Sequence, residues 1–142
     1  MTAPAPTTPR LVIQPVGDGY VPGVCNIGPW EIRRRRIGGV LMLAAAALLL
    51  AGLIALHAPA IARALVLLPA WGGAFSWLQA RRRFCGAYAM RGISNFGTTH
   101  GTINAVADDA AHQADISALM RMTRDSFAIG MVITVVAVLL PL

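Results

Sequence analysis

Four consecutive arginines, Arg33 to Arg36, directly precede an uncharged apolar run from Ile37 to Leu56. At about 1.5 Å per residue, a helix over this run has the length needed to cross a hydrocarbon core of roughly 30 Å. A block of positive charge at one end of such a helix marks the cytoplasmic side of a membrane. The sequence therefore predicts an integral membrane protein whose N-terminus lies in the cytoplasm.

The composition points the same way. Of the 142 residues, 56% are hydrophobic and 13% are charged, whereas soluble domains are about 45–50% apolar and about 25% charged. The formal net charge is +6, and all twelve basic residues are arginine. Because most of these arginines lie at the ends of apolar runs, anionic lipids are the expected partner, at about 1 kcal/mol per arginine near the surface. Nucleic acid is not expected to bind.

Two further apolar segments complete the prediction of an all-α fold with three transmembrane helices. The second span is predicted from Ala60 to Ala80, because Pro59 ends the first. Arg63, near its start, is expected to extend its side chain to the membrane interface. The third span is predicted over Phe127 to Leu142. Since proline and glycine are absent from Ile103 to Ile129, one continuous helix is expected to lead into it.

The distribution of arginines predicts the orientation. With the N-terminus in the cytoplasm and the C-terminus outside, only Arg63 lies on the outer side, as the positive-inside rule requires. The other eleven of the twelve arginines are Arg10, Arg33, Arg34, Arg35, Arg36, Arg81, Arg82, Arg83, Arg91, Arg121 and Arg124. The segment between the second and third spans is then a cytoplasmic loop and helix.

The chain is expected to have three parts. Residues 1–24 hold five prolines and three glycines, which disfavour a regular helix and predict an extended cytoplasmic arm. Residues 25–94 form a two-helix membrane hairpin with flanking cytoplasmic motifs. Residues 95–142 form a cytoplasmic helix that continues into the third span. Asp108, Asp109 and Asp115 are interpreted as part of a solvated helix face.

Two polar motifs flank the hairpin. The first runs from Cys25 to Glu31 and places Pro29 and a carboxylate where a helix starts. The second runs from Phe84 to Asn95 and contains Cys85. Both motifs lie at the same end of the hairpin, so the two cysteines could approach each other.

The two cysteines match no zinc or CxxC spacing, and their plainer interpretation is packing. Cysteines beside arginines are, however, held more readily as thiolates. Cys25 and Cys85 therefore remain an alternative pair of ligands for sulfur or a heavy metal.

These motifs resemble the YgaP-type inner-membrane domain, a two-helix transmembrane hairpin of unsettled function that is sometimes found beside rhodanese modules. The likeness covers about residues 26–94. Its matching residues are Asn26, Gly28, Glu31, Arg35, Gly39, Cys85, Tyr88, Gly92 and Ile93. The chain departs from the family at Gly86, where proline is usual, and at Ile32, where the family has an arginine. No rhodanese domain is present and the third span is additional, so the resemblance implies an architecture more than an activity.

No residue pattern indicates an enzyme, a cofactor or a metal site, and His57, His100 and His112 are scattered outside the spans. The spans are also almost free of ionisable residues, which disfavours a self-contained transporter. Small residues at Ala44–Ala47, Gly52, Gly72–Gly73 and Gly130 favour close helix packing in lipid. The leading hypothesis is a structural or accessory subunit of a larger complex in the bacterial cytoplasmic membrane, of which respiratory and photosynthetic complexes are examples. Its partners would be other integral membrane proteins. The alternative is thiol-dependent sulfur or heavy-metal handling.

Overall fold

The computed structural model describes residues 19–96 and 103–141. The fold is mostly helical, at 74%. Its elements are α1 (Pro29–Ala55), a 3-10 helix (Ala60–Val66), α2 (Leu67–Arg82), α3 (Gly86–Arg91), β1 (Ile93–Asn95), β2 (Ile103–Ala105) and α4 (Asp109–Leu139). Most of the predicted arm, residues 1–18, lies outside the described residues, as does His100.

Three helices are long and apolar enough to cross a membrane. They are α1, the 3-10 helix together with α2, and α4, and their most apolar stretches reach mean hydropathies of 2.5, 1.4 and 1.6. The prediction of three such helices is confirmed. As predicted, Pro29 lies in the first turn of α1, with Glu31 just after it.

The second helix does not begin as an α-helix. It starts with 3-10 geometry from Ala60 to Val66, and α2 follows from Leu67. Pro69 has no amide hydrogen and its ring would clash with the preceding turn of an uninterrupted α-helix. Starting α2 at Leu67 places Pro69 in the first turn, where an amide donor is not needed.

The third helix begins later than predicted. Ile103–Ala105 pairs antiparallel with Ile93–Asn95 to form a two-stranded sheet. The helix starts only at Asp109, where the Asp108 side chain accepts a hydrogen bond from the amide of Ala110 at 3.3 Å. An aspartate in this position is a typical helix N-cap. The absence of proline and glycine permitted a longer helix, but strand pairing and the cap stop it.

Helix α2 lies between α1 and α4, and glycines let the backbones approach. A Cβ atom on Gly39 of α1 would lie 2.9 Å from the backbone nitrogen of Trp77 in α2. On the other side of α2, a Cβ on Gly130 of α4 would lie 2.9 Å from the Cα of Trp71. Trp71 also donates to Ser126 Oγ at 3.2 Å. The three helices thus pack as a layer, with close contacts of the kind predicted from their small residues.

The end of this layer that carries the arginine blocks is covered by a small polar region, which we call the head. The head comprises residues 19–28 and 83–96, the strand β2 and the first half of α4. Its apolar centre is a buried cluster of Phe84, Ala89, Ala118 and Met122. Ala118 and Met122 of α4 are buried in this cluster, so the head covers part of the apolar surface of the first half of α4.

The interpretation of Asp115 as part of a solvated helix face is wrong, and Arg63 is also buried within the protein. Arg63 does not extend to the surface: it is 6% exposed and donates to the backbone oxygens of Leu140, at 2.9 Å, and Ala137, at 3.4 Å. The end of α4 supplies free carbonyls close to this guanidinium, and they attract it. Asp115 is fully buried, not solvated, and accepts from the hydroxyl of Tyr20 and the amide of Gly23 at 3.0 and 2.7 Å.

Candidate functional site

The candidate site lies where the start of α1 meets the end of α2, and Asn26 is at its centre. The Asn26 side chain is fully buried and bonds the backbone of Cys85 twice. It accepts from the Cys85 amide at 2.6 Å and donates to the Cys85 carbonyl at 3.0 Å. An amide side chain carries both a donor and an acceptor, so it can make the two backbone hydrogen bonds that a neighbouring β-strand would otherwise make. Asn26 thereby joins the two sequence motifs directly.

Beside this pair lies a group of four side chains from α1, α3 and the turn before α3. Tyr88 donates to one carboxylate oxygen of Glu31 at 3.2 Å. The other oxygen, Oε2, is 3.6 Å from Arg35 Nη2, which is an ion-pair contact but too long for a hydrogen bond. The same Arg35 nitrogen is 2.9 Å from the Cys85 sulfur. Glu31, Arg35, Cys85 and Tyr88 form one network, which we call the polar cluster.

The polar cluster is mostly dry. Glu31 is 4% exposed and Cys85 is fully buried, while the side chain of Arg35 is 26% exposed. A charge held this far from water requires a partner, and the opposite charges of Glu31 and Arg35 meet that need. Arg35 also keeps its Nε buried without a hydrogen-bond partner among the described residues.

Backbone contacts hold the two motifs in register. The amide of Gly28 donates to the Asn95 carbonyl at 2.8 Å, and the Asn95 amide donates to the Asn26 carbonyl at 2.9 Å. A Cβ on Gly28 would lie 2.9 Å from the Cα of Phe96, so only glycine fits there without a shift. Gly92 ends α3 in the left-handed conformation, with φ of 61°, which glycine adopts without strain.

The structure therefore brings together most of the predicted motif residues. Asn26, Glu31, Arg35, Cys85 and Tyr88 share side-chain contacts. The rest have backbone roles: Gly28 and Gly92 as above, Gly39 at the crossing of α1 with α2, and Ile93 in β1 opposite Ala105.

The two cysteines are free thiols, and their sulfurs have separate partners. The Cys25 sulfur donates to the Gly19 carbonyl at 2.8 Å, while the Cys85 sulfur faces Arg35. Within residues 19–96 and 103–141, no group of three or more His, Cys, Asp or Glu side chains is placed to hold a metal ion.

Two residues of the site were missed from the sequence. Ser76 donates to the backbone oxygen of Arg35 at 2.8 Å, and Gln79 accepts from the Gly86 amide at 3.3 Å. Ser76 and Gln79 are polar residues inside an otherwise apolar run, and that contrast was the signal that could have revealed them.

A second contact, within the head, fixes the segment before α1 to α4. The turn Val21–Cys25 lies against α4, where Tyr20 and Gly23 both bond Asp115. Burial, followed by the hydrogen bond to Asp115, raises the pKa of the Tyr20 phenol above its ordinary value. Tyr20 therefore stays protonated and remains a hydrogen-bond donor throughout the physiological range.

The arginine blocks border the site but do not enter it, apart from Arg35. Because the amide of Asn26 donates to the Arg83 carbonyl at 3.1 Å, the start of α1 lies beside the end of α2. The blocks Arg33–Arg36 and Arg81–Arg83 are thus neighbours at one end of the layer. Only Arg35 turns inward. Arg82 instead pairs with Asp125 of α4 at 2.7 Å.

No protein-family model, curated protein or solved structure matches this chain. The likeness of residues 26–94 to the YgaP-type hairpin therefore stays a prediction carried by its two motifs. The structure adds one geometric fact to that likeness, which is that the two motifs meet in a single buried network.

Proposed function

We propose that this chain is an accessory subunit of a larger protein complex in the bacterial cytoplasmic membrane, with its N-terminus in the cytoplasm and its C-terminus outside. The observation that carries the proposal is the open surface of α1. Only 11% of the residues in its most apolar stretch are buried, against 28% in each of the other two spans. A helix of this kind contacts lipid or another protein over most of its surface.

The exposed face of α1 contains small residues. Ala44, Ala51 and Ala55 are exposed and lie on one side of the helix with Leu48. Gly52 is close by, and a Cβ placed on it would meet nothing within 4 Å. Small residues gain little by facing lipid, but they let a second helix approach closely. This face suits a neighbouring transmembrane helix.

The polar groups support a structural role. Arg63 is the one ionisable residue within the apolar part of the described helices, and its guanidinium is bonded to the carbonyls that end α4. The polar cluster and Asn26 bind parts of this chain to each other. A transport pathway needs polar groups that can exchange partners with a cargo, and these groups are already engaged in holding the helices and the head together.

Extraction of native membranes in a mild detergent, followed by native electrophoresis, tests the proposal. The wild-type chain should migrate with other membrane proteins. Ala51→Leu should weaken that association, because a larger side chain would separate α1 from a neighbour. Val132→Leu, at an exposed position of α4, is the matched control and should leave the association intact. A wild-type chain that migrates alone as a monomer would contradict the proposal.

One observation favours the second candidate, thiol-dependent sulfur or heavy-metal handling. The guanidinium of Arg35 lies 2.9 Å from the Cys85 sulfur, so this thiol has a cationic neighbour within contact distance. The complete burial of Cys85 and the separate partner of Cys25 count against it.

Alkylation of native membranes with a maleimide, read by peptide mapping, separates the two candidates. An accessory subunit should show slow modification of Cys85, and Cys25→Ser and Cys85→Ser variants should tolerate thiophilic metals as the wild type does. Fast modification of Cys85, together with a metal-sensitive or sulfide-sensitive Cys85→Ser strain, would favour thiol chemistry.

A further inference from the structure

A groove of about 1040 Å³ opens at the head end of the helical layer, between the start of α1 and the end of α2. Four arginines line it, two from each side: Arg33 and Arg36 from α1, and Arg81 and Arg83 from α2 and its C-cap. Ile32, Ile37 and Phe96 contribute apolar wall. The groove therefore combines a cluster of positive charge with an apolar lining.

The four groove arginines are not neutralised within the described chain. The ion pairs among residues 19–96 and 103–141 involve Arg35, Arg82 and Arg124, and none involves a groove arginine. All four are exposed. Like charges that line one groove repel one another, so the groove favours an anion that can lie between them.

The apolar side of the groove leads onto the open surface of α1. Ile37 lines the groove and is 50% exposed, and the next turn continues with exposed Val40 and Leu41. A ligand that fills this space needs a negative head for the arginines and a hydrocarbon tail for the helix. The volume is slightly above the roughly 300–1000 Å³ of small-molecule sites, and is far more than a free phosphate occupies.

We propose that this groove is a binding site for one anionic phospholipid, whose phosphate headgroup lies among Arg33, Arg36, Arg81 and Arg83 and whose acyl chain lies against Ile37 and the following turn with Val40 and Leu41, short of the small-residue face assigned to a neighbouring helix. The site rests on the membrane insertion proposed above and not on the accessory role. It differs from a general attraction of basic residues to anionic lipid because it assigns the lipid to four of the arginines and leaves out the others.

Native mass spectrometry of the full chain in detergent micelles tests the site, with phosphatidylglycerol and phosphatidylcholine of identical acyl chains as probes. The wild type should retain one phosphatidylglycerol and prefer it over phosphatidylcholine. The double variant Arg33→Gln, Arg81→Gln should bind it about tenfold to thirtyfold more weakly, as expected for two arginines at an anionic surface. The control double variant Arg34→Gln, Arg91→Gln loses the same charge at exposed positions outside the groove and should bind as the wild type does. Circular dichroism establishes that all variants are folded.

Cys25 gives a second measurement, because it also lines the groove. Bound phosphatidylglycerol should slow the modification of Cys25 by a maleimide in the wild type but not in the groove variant. Equal losses of lipid in both double variants would show general surface attraction and overturn the proposal. Displacement of the lipid by inorganic phosphate at the same concentration would also overturn it, since the site would then take a free anion. Because these measurements use the isolated chain, they can fail or succeed independently of the co-migration experiment.

Discussion

At the scale of single residues, Asn26 shows how a buried amide can hold a helical hairpin together. Its two bonds to Cys85 join the segment before α1 to the turn after α2. The Cys85 carbonyl has a second partner in the Ala89 amide, but Asn26 is the acceptor that the Cys85 amide uses. Removing the Asn26 side chain would therefore leave one buried group, the Cys85 N–H, without its acceptor.

Asn26→Ala should destabilise the protein by about 1–3 kcal/mol, the cost of a buried donor left without an acceptor. The expected result is a lower midpoint of thermal unfolding in detergent, followed by circular dichroism. Gln113→Ala, at an exposed position of α4, is the matched control and should leave the midpoint nearly unchanged. An Asn26→Ala protein as stable as the control would show that the Cys85 amide finds another acceptor.

At the scale of helices, glycine marks where two backbones meet and where none does. A Cβ on Gly39 would lie within 2.9 Å of the Trp77 backbone nitrogen and 3.2 Å of the Gly73 oxygen. Since backbone cannot move aside as a flexible side chain can, Gly39→Ala should separate α1 from α2 at a cost of about 1–3 kcal/mol. Gly52→Ala is the matched control in the same helix, because nothing lies within 4 Å of its added methyl group.

The two glycine variants should therefore differ in thermal stability. Gly39→Ala should lower the unfolding midpoint, while Gly52→Ala should leave it unchanged or raise it, as alanine is the better helix former. A disulfide cross-link between one cysteine introduced into α1 and another introduced into α2 would form more slowly in Gly39→Ala if the helices have moved apart. Equal midpoints for both variants would contradict the close crossing at Gly39.

Arg63 ties the start of the second helix to the end of α4. Its hydrogen bonds to the carbonyls of Ala137 and Leu140 supply donors to carbonyl groups at the end of the helix, where no backbone N–H of the helix is available to them. In the Arg63→Gln variant the glutamine side chain is too short to reach both carbonyls, so the last turn of α4 should fray. Hydrogen exchange read by mass spectrometry should become faster for residues 136–140 and stay unchanged in α1. Exchange that is unaffected in this turn would show that the cap is not needed.

The sequence predicted the elements that depend on local signals, and it missed those that depend on contacts between segments far apart in the chain. The three long helices follow from apolar runs, and the start of α1 follows from Pro29 and Glu31, all of which are local signals. The pairing of Ile103–Ala105 with Ile93–Asn95 and the burial of Asp115 depend on segments that meet only in the folded chain. The two polar motifs that flank the apolar runs indicated where the site lies, but the partner of Arg35 could not be chosen from sequence among several nearby groups.

At the scale of the whole molecule, charge is separated along the helical layer. The arginine blocks, together with Arg91, Arg121 and Arg124, lie at the head end, where Arg82 pairs with Asp125. Arg63 is at the opposite end and is covered by α4. An inner leaflet with anionic lipids attracts the first end, and among the described residues the second end presents almost no free positive charge. This asymmetry favours an orientation with the head in the cytoplasm.

Reporter fusions should reveal that orientation. A reporter that is active only in the periplasm should be silent when fused after Asn95 and active when fused after His57, and a reporter that fluoresces only in the cytoplasm should give the reverse pattern. The expectation follows because moving the head outward would carry ten described arginines across the membrane, and basic loops resist that transfer. Periplasmic activity after Asn95 with silence after His57 would invert the topology. It would also place the arginine groove at the outer leaflet. The lipid bound in the groove would then have to be one that the outer leaflet contains.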